Sequence, residues 1–145
     1  MDYYKDYEKA EKYLRESLKR DRNDSIALLN LGVLYDRKKN FSQAAQKFTE
    51  YIKRNKKDPQ GYYNLATSYF NMKDYDKALS ILEKALQQWP SNPYFHSLYG
   101  MVYYNKGDLK RAQRAFLTTL SVDGNNAEAE RYLKKIVEIT VPSGE

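Results

Sequence analysis

Apolar residues recur along this chain at helical spacing, most clearly between Pro59 and Asn92, where it reads PQGYYNLATSYFNMKDYDKALSILEKALQQWPSN. Tyr62, Leu65, Ala66 and Tyr69 stand at i, i+3, i+4 and i+7 and predict one helix. Ala78, Leu82 and Ala85 share the face of a second; Met72-Lys73-Asp74 separates the two, and Pro90 stops the second. Moving this unit by 34 residues either way superimposes it on itself: Ala66 falls on Gly32 and Gly100, Tyr69 on Tyr35 and Tyr103, Ala78 on Ala10, Ala44 and Ala112, and Leu82 on Leu14, Phe48 and Phe116. A fixed period containing two helices predicts a stacked helical repeat, in which each hairpin buries its apolar faces only against its neighbours.

Short polar residues mark the expected helix starts. Asp24, Asp58, Asn92 and Asn126 precede the first helix of each hairpin, and Asp6, Asn40, Asp74 and Asp108 precede the second. A side-chain oxygen there accepts an otherwise unpaired N–H of the first turn, which contributes about 1 kcal/mol. Pro59 and Pro93 fall at the first helical position, where a missing N–H costs nothing. Gly107 reads as a left-handed stop. Gly32, Ala66 and Gly100 are expected opposite Ala44, Ala78 and Ala112, so that helix axes approach to about 8 Å.

The ends depart from the pattern. Register places Met1–Tyr4 at the end of an otherwise missing first helix, followed by a second-type helix Asp6–Arg20 with Tyr7, Ala10, Leu14 and Leu18 on one face. The array thus opens on half a repeat, and the expectation is a segment of a longer array. A last helix is predicted from about Ala127 to Thr140, with Leu133 and Val137 continuing the seam and Glu130 and Lys134 in place of its apolar and small residues, as a cap requires. Residues 141–145 carry no folding signal.

These positions resemble the tetratricopeptide repeat. The central unit matches its pattern with Tyr62, Leu65-Ala66, Tyr69, Ala78, Leu82, Ala85 and Pro90. Residues 25–58 match with Leu28, Leu31-Gly32, Tyr35, Ala44 and Phe48, then depart at Tyr51 and Lys56. Residues 93–126 match with His96, Tyr99-Gly100, Tyr103, Ala112 and Phe116, then depart at Thr119 and Gly124. The resemblance implies an all-α, right-handed α-solenoid: a half repeat over 1–24, repeats over 25–58, 59–92 and 93–126, a capping helix over 127–140 and a tail over 141–145. It further implies a non-enzymatic scaffold that holds a protein or peptide segment in a concave groove lined by the first helices.

Helical phase gives that groove its residues. Ile26, Leu29, Val33 and Asp36 stand opposite the hairpin seam in one repeat, Gln60, Tyr63, Thr67 and Phe70 in the next, and Tyr94, Ser97, Met101 and Tyr104 in the third. The last helix puts Glu128, Arg131, Lys135 and Glu138 there. The face is apolar and aromatic with a charged end, which suits a partner; packing between adjacent first helices also uses part of it. Asn30, Asn64, Asn71 and Asn105 recur beside it, and such amides can pair with an extended peptide backbone or simply follow the consensus. The candidate groove is therefore Leu29, Asn30, Val33, Arg37, Tyr63, Asn64, Thr67, Phe70, Asn71, Tyr94, Met101, Tyr104 and Asn105. Family members that clamp a chaperone's C-terminal carboxylate use Lys and Asn, then Asn, then Lys and Arg. The corresponding residues here are Leu29 and Val33, Asn64, and Tyr94 and Leu98, so that partner type is rejected.

Composition narrows the alternatives. Cysteine is absent and His96 is the only histidine, placed at a seam position that reads as packing. No nucleophile–base pair, metal-ligand spacing or phosphate loop can be drawn, so neither an enzyme nor a cofactor is expected. The net charge of +6 includes the run Lys53, Arg54, Lys56 and Lys57, which reads as a solvated helix end, and nucleic acid is an unlikely partner. No apolar run reaches ~18 residues, so a soluble chain is expected, with its compartment unassigned. A self-assembly module joining copies end to end is the alternative. Each open end offers on the order of a few hundred Å² against ~1,000 Å² for a stable interface, and the expected state is a monomer or weak end-to-end association.

Overall fold

The computed structural model describes residues 3–141. It consists of α1 (Tyr3–Arg20), α2 (Ser25–Arg37), α3 (Phe41–Arg54), α4 (Pro59–Asn71), α5 (Tyr75–Gln88), α6 (Pro93–Lys106), α7 (Leu109–Val122) and α8 (Ala127–Thr140). No strand occurs among the described residues. α2, α4, α6 and α8 begin at residues 25, 59, 93 and 127, a spacing of 34 each time. The chain divides between Asp74 and Tyr75 into two compact units, α1–α4 and α5–α8, and each is taken by itself.

Side-chain caps fix most of the starts. Asp24, Asp58, Asn92 and Asn126 accept from the backbone N–H groups of Ala27, Gln60, Tyr94 and Ala129, and Asp108 accepts from that of Arg111. Two expected caps fail. The Asn40 side chain accepts no bond from α3. Asp6 lies inside the first turn of α1, because the helix begins at Tyr3 rather than Asp6. Neither glycine nor proline interrupts Tyr3-Tyr4-Lys5, so the helix extends upstream, and Tyr3 and Tyr4 belong to α1 instead of ending a separate helix. Met1, Asp2 and the tail from residue 142 lie outside the described residues.

In the first unit α2 packs on α1 and α3, and α4 packs on α3 and α2. Leu28, Leu31 and Phe48 are buried completely, each contributing about 1.5–3 kcal/mol of transfer free energy. The Phe48 ring lies against bare backbone: a Cβ at Gly32 would stand 2.5 Å from Phe48 Cε1. Gly61 of α4 likewise leaves room for the Tyr51 ring of α3, 2.7 Å from where its Cβ would be. Tyr51 then donates a short hydrogen bond to Asp58, the residue that also caps α4, and burial together with that carboxylate pushes the phenol up to about 12. In the second unit α6 packs between α5 and α7, and α8 docks on α7 and α6. Phe95, Val102 and Phe116 form its centre, and a Cβ at Gly100 would stand 2.8 Å from the Phe116 ring. The buried hydroxyls of Ser68 and Thr119 donate to the carbonyls of Asn64 and Ala115 in their own helices.

A polar cluster ties α1 to α2. The Glu11 carboxylate accepts from Arg15 Nε at 2.9 Å, Tyr35 OH at 3.2 Å and Lys38 Nζ at 2.8 Å, and Arg15 also donates to Tyr35 OH at 2.8 Å. The Lys38 bond, with Arg15 and Tyr35 behind it, holds Glu11 below the usual carboxylate range against a smaller effect of burial.

Three turns share one strained backbone position. Lys39, Lys73 and Gly107 have φ of 59°, 60° and 82° and are spaced 34 residues apart. Only the third is glycine, which enters this region without a Cβ penalty of about 1–2 kcal/mol. Lys39→Gly and Lys73→Gly are therefore each expected to stabilise the chain by up to about 1 kcal/mol, and Gly107→Ala to destabilise it by a similar amount. The Gly107 cost is purely conformational, because a Cβ there meets nothing within 4 Å. Urea unfolding measures all three.

Gly32→Ala is expected to cost about 1–3 kcal/mol through the Phe48 ring. Adding Phe48→Leu should recover part of that loss, since the repeat with Ala66 carries Leu82 at the matching register. Purely additive losses in the double variant would contradict a steric origin.

Glu11→Gln is expected to destabilise by about 1 kcal/mol at neutral pH. Because the folded carboxylate titrates below its ordinary value, the Glu11 contribution is present in full above the usual range near 4.5 and is lost as pH falls through the lower folded value. The difference in stability between wild type and Glu11→Gln should accordingly be flat around neutrality and shrink in acid.

Candidate functional site

The first unit brings α2 and α4 together as neighbours. Leu29 and Val33 on α2, and Tyr63, Asn64, Thr67 and Phe70 on α4, are half-buried; Asn30, Arg37 and Asn71 are exposed. Ile26, one turn before Leu29, is 74% exposed. The Thr67 hydroxyl is spent on the Tyr63 carbonyl of its own helix, at 2.9 Å. Asp36 follows Val33 on the same side of α2. Burial raises its carboxyl above the ordinary range, a hydrogen bond from the Asn71 side chain opposes this, and Oδ1 is buried with no partner.

In the second unit α6 and α8 are neighbours. Tyr94 is 64% exposed, Met101 and Tyr104 are half-buried, and Asn105 is exposed with its Nδ2 donating to the Met101 carbonyl at 2.8 Å. Tyr104 meets Tyr132 edge-on at 5.0 Å, and Tyr132 stacks on Phe116 at 4.8 Å with 8° between the rings. Arg131 and Lys135 lie 5.6 Å and 5.2 Å from the Tyr132 centroid. Glu128 receives the Ser97 hydroxyl at 3.3 Å and pairs with Arg131 at 3.7 Å. The charged end of α8 is thus engaged with its own unit.

Ile26, Asp36 and Tyr132 fall outside the thirteen residues chosen by helical phase. Ile26 and Asp36 share the helical phase of Leu29 and Val33. Tyr132 occupies the register of Asn30 and Asn64, where an aromatic residue gives no signal of what it will stack on.

Elsewhere the chemistry is sparse. His96 Nε2 donates to the Pro90 carbonyl at 2.7 Å and so carries the proton on that nitrogen. Among the described residues no three His, Asp or Glu side chains gather as metal ligands. A cleft of about 870 Å³ opens between α1, α2 and α3, lined by charges of both signs such as Glu8, Lys12, Glu16 and Lys19, with Leu31 and Tyr35 as its floor. Of the basic run, Arg54 donates to the Glu50 carbonyl and to Asn23, while Lys53, Lys56 and Lys57 are exposed.

Helical hairpins at a constant period, with a partly open apolar face in each unit, are the marks of a repeat scaffold. A family model described as "Tetratricopeptide repeat" matches residues 69–136, and one described as "Anaphase-promoting complex, cyclosome, subunit 3" matches residues 4–85. The chain belongs to the tetratricopeptide-repeat family, whose all-α solenoids serve as protein-interaction scaffolds. No curated protein matches it in sequence. Among solved structures, the MamA protein superimposes with a TM-score of 0.82 at 21% identity, over 93% of this chain and 74% of that one. The first repeat domain of Spaghetti (RPAP3), bound to the HSP90 peptide SRMEEVD, gives 0.75 at 24% identity, over 82% and 94%. The Cut9–Hcn1 hetero-tetramer of APC/C gives 0.78 at 25% identity, over 88% of this chain but 26% of that one. No helix among the described residues is long and apolar enough to cross a membrane.

Proposed function

We propose that this chain is a non-catalytic scaffold that holds a protein or peptide segment against its first helices. The observation that carries this is a partly open apolar face in each unit: Leu29, Val33, Tyr63 and Phe70 on α2 and α4 in the first, and Tyr94, Met101 and Tyr104 on α6 in the second. Aromatic side chains give large, rigid contact area at little entropic cost, and half-burial leaves them anchored yet reachable. The repeat divisions at 25–58, 59–92 and 93–126 belong to this reading, each supplying one first helix. The amides contribute unequally: Asn30 points no hydrogen bond into the fold, whereas Asn71 and Asn105 are partly spent on Asp36 and the Met101 carbonyl.

The neighbouring RPAP3 domain was solved with a chaperone peptide. A carboxylate terminus needs cationic donors, and Leu29, Val33, Tyr94 and Leu98 supply none at the matching positions. The preferred occupant is therefore an internal segment with apolar side chains, held without a terminal carboxylate.

Random-sequence peptides selected on the full chain test this. The triple variant Tyr63→Ala, Phe70→Ala and Tyr104→Ala should lose binding by far more than tenfold, since each aromatic anchor commonly contributes about 2 kcal/mol. Circular dichroism must show the variant folded. Unchanged affinity in a folded triple variant would remove the faces of both units from consideration.

A further inference from the structure

Asp36 is placed against the interests of stability. The buried hydroxyls of Ser68 and Thr119 find carbonyl partners, yet Asp36 Oδ1 is buried with none, and no other such orphan occurs among the described residues. An orphaned charged acceptor costs more than any neutral one. Asp36 also lies in the last turn of α2, where the helix dipole disfavours an anion. The Asn71 amide that reaches it comes from the last residue of α4, so a second helix C-terminus converges on the same carboxylate. No cation bonds Oδ1. Lys38 is held by Glu11 at 2.8 Å, and the exposed Arg37 gives Oδ1 no bond. The residue as a whole is half-buried, and its terminal torsion is soft enough for the carboxylate to turn and meet a cation.

We propose that Asp36, bracketed by Asn71 and the C-terminal ends of α2 and α4, is the recognition carboxylate for one basic side chain, lysine or arginine, of the segment bound on this face. The assignment rests on the binding face proposed above and adds a charge to its specificity. A cationic group there meets a carboxylate and two helix ends of the same sign, and it supplies the compensation that the fold withholds. The apolar residues Val33 and Phe70 flank Asp36 and Asn71 in sequence, so the basic side chain would stand next to an apolar anchor of the ligand.

Random-sequence peptides displayed and selected on the full chain and on Asp36→Asn give the test. Peptides selected on the wild type should carry Lys or Arg at one fixed position. Replacing it with Gln should weaken binding about tenfold or more on the wild type and leave it unchanged on Asp36→Asn. Asp36→Asn should melt no lower than the wild type, as expected of a residue retained against stability. Selected peptides that need Tyr63 and Phe70 but show no basic preference would overturn the assignment and leave the face standing. Failure to select any peptide would overturn both. A lower melting temperature with peptide affinity unchanged would make Asp36 a structural residue and end the proposal.

Discussion

A ring against bare backbone sets the geometry of both units. At Gly32 and again at Gly100 a phenylalanine occupies the volume that any side chain would need, with 2.5 Å and 2.8 Å from the ring to the missing Cβ. Close-packed interiors make such a contact discrete: the ring is seated or the hairpin is sprung. Once Gly32 is fixed under Phe48, helical phase turns Leu28, Leu31 and Tyr35 inward, and all three are buried. The same phase turns Leu29, Val33 and Asp36 the other way, where they remain half-buried. The candidate binding face is thus a consequence of the seam, because a rotation of α2 that hid Val33 would lift Gly32 off the ring.

The period and the helix order were legible in the sequence, because each rests on residue type at a fixed spacing. Gly107 announced its left-handed turn by being glycine. Lys39 and Lys73 adopt the same conformation with no residue signal except their register to Gly107. Asp6 misled because a short acid ahead of an apolar stripe looks the same whether it caps a helix or sits in its first turn; the uninterrupted Tyr3-Tyr4-Lys5 decided for the latter. Asn40 is the same lesson at a true boundary, where the right residue type stands in place and makes no capping bond. Partner choice was the least legible level. Nothing in sequence spacing says that Asn105 spends its amide on Met101, that Tyr132 lies flat on Phe116, or that one oxygen of Asp36 is left alone.

The last helix shows how far the seam logic reaches. Lys134 takes the register of Gly32 and Gly100, the two positions where even a methyl group would run into a phenylalanine. A second-type helix paired with α8 as α3 is paired with α2 would have to carry something smaller than phenylalanine there. α1 of another copy carries Leu14 at that register, which matches the Ala66–Leu82 combination and relieves the first clash. The remaining length of Lys134 would still have to leave the seam to keep its ammonium in water, prying the helices apart as it went. Val137, one turn on and 50% exposed, offers apolar area but cannot be covered in repeat geometry without covering Lys134 as well. Joining copies by completing a repeat therefore sets the exposed apolar residues of α8 against its lysine. The same steric rule that builds the hairpins in each unit argues against joining two copies through this helix.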